Sequence, residues 1–153
     1  MDHNLCWLLS QTSHALMAEM TAALEDVGLS PRAHHVLHTA LQGEMTQSEV
    51  AQAVGLDKTT MVVTMDELEA AGLAERRPSA TDRRARVIAV TAAGRRKVAK
   101  AQKVMESKQA EVLASLPAAE SDALVNGLCQ LLGERLAAPV ECQKRPRRPR
   151  AAA

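Results

Sequence analysis

Short hydroxyl side chains and arginines are concentrated in one stretch of the chain, from Thr46 to Thr91. Threonine and lysine side chains can donate to phosphate oxygens and base edges, and the threonine methyl can contact the methyl group of thymine. Arginine on a protruding loop is suited to a narrow, electronegative minor groove. The residue types therefore predict double-stranded DNA as a partner. The predicted major-groove contacts are Lys58, Thr59, Thr60, Val63 and Thr64, and the predicted loop contacts are Arg83, Arg84 and Arg86.

Two short helices are predicted to present these threonines. Thr46, with Glu49 three residues later, has the spacing of a capping box and predicts a helix start. Gly55 is placed to end that helix, and Asp57 is placed to cap the next one. Only a tight turn fits between the two helices, as helix-turn-helix geometry requires. The start of the first helix, Thr46, Gln47 and Ser48, supplies further candidate DNA contacts.

The second of these helices is predicted to have a buried and an exposed face. Met61, Met65 and Leu68 have the spacing of the buried stripe. The residues predicted to point away from that stripe are Lys58, Thr59, Thr60, Val63, Thr64 and Glu67. Gly72 is predicted to end the helix.

A β-hairpin is predicted directly after the second helix. Its strands are Leu73–Arg77 and Arg86–Val90, and the second alternates in the manner of a half-buried strand. Residues 78–82 between them have the composition of a turn. Two helices followed by a basic hairpin predict a winged helix-turn-helix, and the alternative is the same layout without a DNA role.

Net charge over the whole chain is +1, but the charge is unevenly distributed. Ten basic residues and one acidic residue, Asp82, lie between Arg76 and Lys103, which gives a local charge of about +9. A basic patch on an otherwise acidic body is typical of nucleic-acid binding. For Lys97, Lys100 and Lys103, an ordinary solvated helix face is an equally good interpretation.

Composition and periodicity predict an all-α protein with a small β-wing. The 153 residues contain no Phe or Tyr and one Trp, so the core must be built from Leu, Val, Ala and Met. Helices are predicted at 4–27, from Ser30-Pro31 to Gln42, from Thr91 to Ser115, and after Pro117. The last carries an apolar stripe of Leu124, Leu128, Leu131, Leu132 and Leu136. The terminal helices (about 4–27 and 92–137) exceed what a compact winged helix needs, and predict burial against a second copy in a homodimer.

One domain is predicted over residues 1–138, with its DNA-reading core at about 46–91, and a basic disordered tail over 139–153. The tail holds five basic residues between Lys144 and Arg150 and no apolar periodicity. We predict a reducing cytoplasmic location, because Cys6, Cys129 and Cys142 form no CxxC motif and the chain has no signal peptide or apolar run near 18 residues. No catalytic or cofactor motif is present, so neither an enzyme nor a cofactor is predicted.

The wing sequence resembles that of the MarR family of bacterial transcriptional regulators. Asp82-x-Arg84, followed after five residues by Val90-Thr91, is similar to the family's wing signature, and the likeness covers roughly residues 5–137. It implies that Arg84 enters the minor groove and that Asp82 steadies it. It also implies a dimer joined by its terminal helices, binding a palindromic operator, most often as a repressor that a signal releases. The alternative from another class is a winged helix used only for dimerisation, as in some small-molecule methyltransferases.

Two further sites follow from the same resemblance. The segment NLCWLLSQTSHALM resembles the start of the peroxide-sensing, OhrR-type branch, which implies a redox role for Cys6. That branch activates its cysteine with tyrosines, which this chain lacks, so a small hydrophobic packing role is the alternative. The family also holds small ligands between its dimer helices and winged module. Residues placed to line such a pocket are Trp7, His14, Met17, His34 and His38. His34 and His38 are one turn apart, but no metal is predicted because no third ligand lies close by in sequence.

Overall fold

The computed structural model describes residues 4–79 and 85–137, and within them six α-helices and one two-stranded antiparallel sheet. The predicted class, all-α with a small β-wing, is confirmed. The helices are α1 (Leu5–Ala23), α2 (Pro31–Ala40), α3 (Gln47–Ala53), α4 (Lys58–Ala70), α5 (Ala92–Leu113) and α6 (Ala118–Gly133), and the strands are β1 (Ala74–Pro78) and β2 (Arg86–Val90).

The described residues divide into two compact units, one ending at Glu111 and one starting at Val112. The hydrophobic core belongs to the first unit and draws on α2, α3, α4, β2 and α5. Its largest fully buried apolar side chains are leucines, methionines and valines, as the lack of Phe and Tyr required: Leu24, Leu37, Met61, Met65, Val36 and Val50. In the parts of the chain that the structure describes, no helix is both long and apolar enough to cross a membrane.

The first helix ends earlier than its apolar pattern predicted. α1 stops at Ala23, and residues Glu25–Val27 form a 3₁₀ turn that Gly28 closes. The tighter turn buries Val27, which continues the apolar pattern without continuing the helix. α2 begins as predicted, with the Ser30 hydroxyl accepting from the Ala33 N–H at 3.1 Å. It ends at Ala40 rather than Gln42. Similarly, α6 ends at Gly133, so Leu136 lies beyond the helix that was predicted to contain it.

The β-hairpin is tied to the start of α3 as well as to itself. Its register pairs Ala74 with Val90 and Pro78 with Arg86. The Ile88 N–H donates to the Met45 carbonyl at 3.1 Å, and an isolated bridge joins Thr46 to Val87. Backbone hydrogen bonds therefore fix the root of the wing against the first helix of the helix-turn-helix.

The start of α5 is packed directly against the end of the α4–β1 turn. The Thr91 hydroxyl accepts from the Gly94 N–H at 3.0 Å, which confirms Thr91 as the predicted cap, and it donates to the Gly72 carbonyl at 2.8 Å. A Cβ added at Gly94 would lie 2.1 Å from the Leu73 carbonyl oxygen. Only glycine permits this close approach of helix to backbone.

Gly94→Ala is therefore expected to lower the free energy of unfolding by about 3 kcal/mol, the upper end of the usual overpacking range. The added methyl would collide with backbone, which cannot rotate away as a side chain can. Urea unfolding followed by circular dichroism measures the loss. Gly127→Ala is the matched control, because a Cβ at Gly127 meets nothing within 4 Å. Equal stability of the two variants would contradict the close packing at Gly94.

Candidate nucleic-acid interface

The first helix of the helix-turn-helix starts with the predicted capping box. The Glu49 N–H donates to the Thr46 hydroxyl at 3.2 Å, and the Thr46 N–H donates to the Glu49 carboxylate at 2.7 Å. These hydrogen bonds, first from the Thr46 backbone and then from its hydroxyl, lower the pKa of Glu49. Both partners are thereby held in one arrangement, which presents the exposed Ser48 at the first turn of α3.

The turn and the start of α4 also follow the sequence. Gly55 adopts a left-handed conformation with φ of 69°, which permits the sharp turn between α3 and α4. The Asp57 carboxylate accepts from the Thr59 and Thr60 N–H groups at 2.9 and 3.0 Å, and from the Thr60 hydroxyl at 2.6 Å. The hydroxyl bond is the first cause of a lowered pKa at Asp57. Thr60 therefore has a capping role in addition to any contact with DNA.

Thr64 is not on the exposed face of α4, and the prediction that it contacts DNA is wrong. It is 2% exposed, and its hydroxyl donates to the Thr60 carbonyl at 2.8 Å. The physical reason is helical spacing: Thr64 lies three residues after Met61 and one turn before Leu68, on the buried stripe itself. The bond to the preceding turn satisfies its hydroxyl there. Lys58, Thr59 and Val63 are exposed as predicted, and Val62, which was not singled out, is also exposed.

A groove of about 320 Å³ between α3 and α4 brings several predicted contacts together. Gln47 and Ser48 of α3 and Lys58 of α4 line it, because the tight turn between the two helices brings their first turns together. Its full lining is Gln47, Ser48, Ala51, Gln52, Leu56, Lys58 and Met61. The groove places polar donors from both helices on one surface, which is the geometry needed to contact one DNA strand.

Several of the basic residues counted in the sequence have partners within the protein. Arg76 forms ion pairs with Asp66 and Glu69, and Arg77 forms one with Glu75. The Lys97 ammonium donates to the Gly28 carbonyl at 3.1 Å. The linear charge count therefore overstated the positive charge available to DNA, because carboxylates of α4 and β1 form ion pairs with two of the arginines.

The wing places Arg86 on its exposed surface at the start of β2. Asp82, Arg83 and Arg84, the residues that carry the wing signature, lie outside the described residues. The basic segment from Lys144 to Arg150, Cys142 and His3 also lie outside them. The roles assigned to these residues by the sequence stay predictions.

The five residues predicted to line a ligand pocket differ in their surroundings. Trp7, His14 and Met17 are exposed on α1, whereas His34 is 3% exposed. The His34 ring stacks on that of His38, with centroids 5.5 Å apart. Within the described residues neither ring nitrogen of His34 makes a hydrogen bond of good geometry, although the Gln102 side chain is close by. Burial lowers the pKa of His34, the neighbouring His35 and His38 act in the same direction, and the Gln102 side chain opposes them by favouring the protonated ring, which raises the pKa.

His34 is therefore expected to reduce stability as the solution becomes acidic. The unfolded chain takes up a proton near its ordinary pKa of about 6.5, whereas folded His34 resists protonation, so stability is full above that pH and falls below it. Urea unfolding at pH 7.5 and pH 5.5 measures the difference, and His34→Leu should reduce it. His14→Leu, which replaces an exposed histidine, is the control. An unchanged pH dependence in His34→Leu would contradict this expectation.

Cys6 lies on the exposed surface of α1, and Cys129 is exposed on α6. Exposure meets one requirement of an oxidant-sensing thiol, the other being a thiolate at neutral pH. The redox role of Cys6 stays a prediction. Among residues 4–79 and 85–137, no group of three or more His, Cys, Asp or Glu side chains is arranged to hold a metal ion.

Fold and surface together define a winged helix-turn-helix, with its two helices, its cap-bounded turn and its two-stranded wing in the expected order. A sequence model of the MarR family matches residues 27–85, which include α2, the helix-turn-helix and β1. The structural matches are to regulators of the same family. The chain is thus similar to the MarR family of winged helix-turn-helix transcriptional regulators, in the sequence of residues 27–85 and in its fold.

Two solved structures illustrate the similarity. CouR from Rhodococcus jostii RHA1, bound to p-coumaroyl-CoA, is 29% identical, with a TM-score of 0.77 over 92% of this chain and 96% of that one. The transcriptional repressor CouR bound to a 23-mer DNA duplex is 26% identical, with a TM-score of 0.76 over 83% of this chain and 91% of that one.

A third match carries a different ligand. It is a MarR family protein of Mycobacterium tuberculosis in complex with p-aminosalicylic acid. It is 27% identical to this chain, with a TM-score of 0.69 over 88% of this chain and 98% of the other.

Proposed function

We propose that this protein is a homodimeric, DNA-binding transcriptional repressor that occupies a pseudo-palindromic operator and is released by a small-molecule or oxidant signal. The observation that carries the proposal is the common surface of α3 and α4, where Gln47, Ser48 and Lys58 converge on one groove. Thr59 and Val63 extend this surface along α4. A DNA-bound CouR at 26% identity supports the same use of the fold.

Within this proposal the two DNA-reading elements have separate tasks. α4 enters the major groove with the exposed side chains of its first half, Lys58, Thr59 and Val63. The wing, through Arg83, Arg84 and Arg86, contacts the minor groove and the backbone. Thr46, Gln47 and Ser48 at the start of α3 contact phosphates of the DNA backbone.

Dimerisation is supported by apolar side chains that each unit leaves exposed. On α1, Leu5 is 61% and Trp7 57% exposed, and on α6, Leu132 is 66% exposed. Exposed apolar surface on this scale marks a site of association. A two-fold dimer would present two copies of α4 to one duplex, one per half-site.

The signal that releases the repressor is a second part of the proposal. Small ligands are bound by the CouR and Mycobacterium tuberculosis structures, which belong to the same family. Here the candidate pocket residues are Trp7, His14, Met17, His34 and His38, and the candidate oxidant target is Cys6. A ligand or an oxidised thiol would release DNA by favouring a different separation of the two α4 helices.

Footprinting of the protein on its own upstream DNA tests the proposal. A dimer should protect a pseudo-palindrome whose half-sites are about 10 base pairs apart, one helical turn. Sedimentation velocity at micromolar concentration should give a dimer. A single unrepeated footprint, or a monomer, would contradict the proposed binding mode. No binding above that of a random duplex would favour the alternative, a winged helix used only for dimerisation.

A further inference from the structure

Arg76 is the most extensively hydrogen-bonded arginine among the described residues, and all its described partners lie within the protein. Its Nε donates to the Gln47 side-chain oxygen at 3.0 Å, and its Nη2 donates to the Asp66 carboxylate at 2.8 Å. Its Nη1 donates to one oxygen of Glu69, while its backbone N–H donates to the other at 2.7 Å. The side chain is only 26% exposed, although it was counted in the basic patch.

These bonds connect three elements of the DNA-reading surface. Arg76 belongs to β1, Asp66 and Glu69 to the second half of α4, and Gln47 is the first residue of α3. The cross-strand partner of Arg76 is Ile88, which is 4% exposed, so the strand directs the arginine toward the core side of the hairpin. One arginine therefore holds β1 of the wing, α4 and α3 together.

We propose that Arg76, held by Glu69, is a positioning residue for DNA binding: it sets the angle between the α4 helix and the wing, and it does not itself contact DNA. The inference rests on the proposed DNA-binding function. Only Arg offers three separate N–H directions in one rigid plane, so a lysine cannot make the same set of bonds. Because α4 and the wing contact different grooves of the same duplex, a change in their relative orientation would cost contacts in one of them.

Glu69→Gln is the discriminating substitution, because a positioning role and simple electrostatics predict opposite changes in affinity for DNA. Removing a negative charge from a DNA-binding surface should by itself tighten binding to the phosphate backbone. If Glu69 serves to hold Arg76, its loss should instead weaken binding to the operator by about tenfold, the middle of the range for coupled networks. Glu67→Gln is the matched control, since Glu67 is exposed on the same helix and no described ion pair involves it.

Arg76→Lys and Arg76→Gln separate a positioning role from a phosphate contact. A phosphate contact would survive in the lysine variant, and its loss in the glutamine variant would reduce the slope of log affinity against log salt by about 0.9. Positioning predicts that both variants lose operator affinity, with an unchanged salt slope. The double variant Arg76→Gln with Glu69→Gln should be no worse than Arg76→Gln alone, because both changes break one network.

The measurements are fluorescence anisotropy titrations of full-length variants with the operator and with a random duplex, at several salt concentrations. Thermal unfolding by circular dichroism shows that each variant is folded at the titration temperature. Selective loss of operator affinity in Glu69→Gln and Arg76→Lys supports the positioning role. Operator binding by Glu69→Gln as tight as wild type, or retention in Arg76→Lys, overturns it. Failure of the wild-type protein to prefer the operator would overturn the proposed function instead.

Discussion

Arg84→Ala is expected to weaken operator binding by about 5- to 150-fold, the equivalent of roughly 1–3 kcal/mol. The expectation comes from the resemblance of Asp82-x-Arg84 to the MarR wing signature, which implies that the arginine enters a narrow minor groove where negative potential is concentrated. Loss of this cation should also reduce the salt slope of binding by about 0.9. Anisotropy titrations against the footprinted operator at several salt concentrations measure both quantities.

Arg96→Ala is the matched control for this result. Arg96 is exposed on α5. Its substitution removes the same charge from the same basic stretch and leaves the wing unchanged. Its effect on operator affinity should be about twofold or less, within the range of an exposed, screened charge. If the two variants lost equal affinity, the wing would contribute only general charge, and its specific role would be contradicted.

Leu132→Glu is expected to have the largest effect on assembly. Leu132 is the most exposed of the large apolar side chains on α6, at 66%, and a two-fold interface would bury it twice. Each copy would lose about 2 kcal/mol of stabilisation from burying this side chain. The dimer would therefore lose about 4 kcal/mol of association free energy, which weakens the dimerisation constant about a thousandfold. The variant should sediment as a monomer at micromolar concentration and lose the footprint on the palindrome.

Asn126→Glu tests whether the added charge alone is responsible. Asn126 lies on the opposite side of α6 from the leucine stripe, by helical spacing, and is exposed. This variant should remain dimeric and bind the operator as wild type does. A dimeric Leu132→Glu, or a monomeric Asn126→Glu, would show that the leucine face of α6 is not the dimer contact.

The helix boundaries illustrate how much of the fold was determined by local chemistry. The capping box of Thr46 and Glu49, the Asp57 cap and the left-handed Gly55 were all predicted and are confirmed, because each depends on groups at most three residues apart. β2 was predicted with its observed bounds, since its alternation is a local pattern. The predicted end of α1 was wrong, because apolar spacing alone cannot distinguish a further α-helical turn from the 3₁₀ turn that follows α1.

Both residue type and helical spacing were needed to predict the candidate DNA-binding site. Lys58, Thr59 and Val63 were identified from residue type and helical phase, and they are exposed. Thr64 was misplaced because its hydroxyl was taken as a sign of exposure, whereas its spacing from Met61 and Leu68 placed it inside. The same sequence therefore contained the correct answer, and periodicity was the better guide than side-chain polarity.

By itself, the sequence determined the order of elements and their caps, because these follow from short-range patterns and residue type. Only the tertiary structure decided the fate of the basic stretch. Arg76 meets Gln47 across 29 residues, and Lys97 meets Gly28 across 69. Contacts between positions so far apart arise from packing of separate elements and leave no periodic signal. In the folded protein, some of the described basic residues counted along the chain are therefore paired with other groups of the protein, and the others are exposed on its surface.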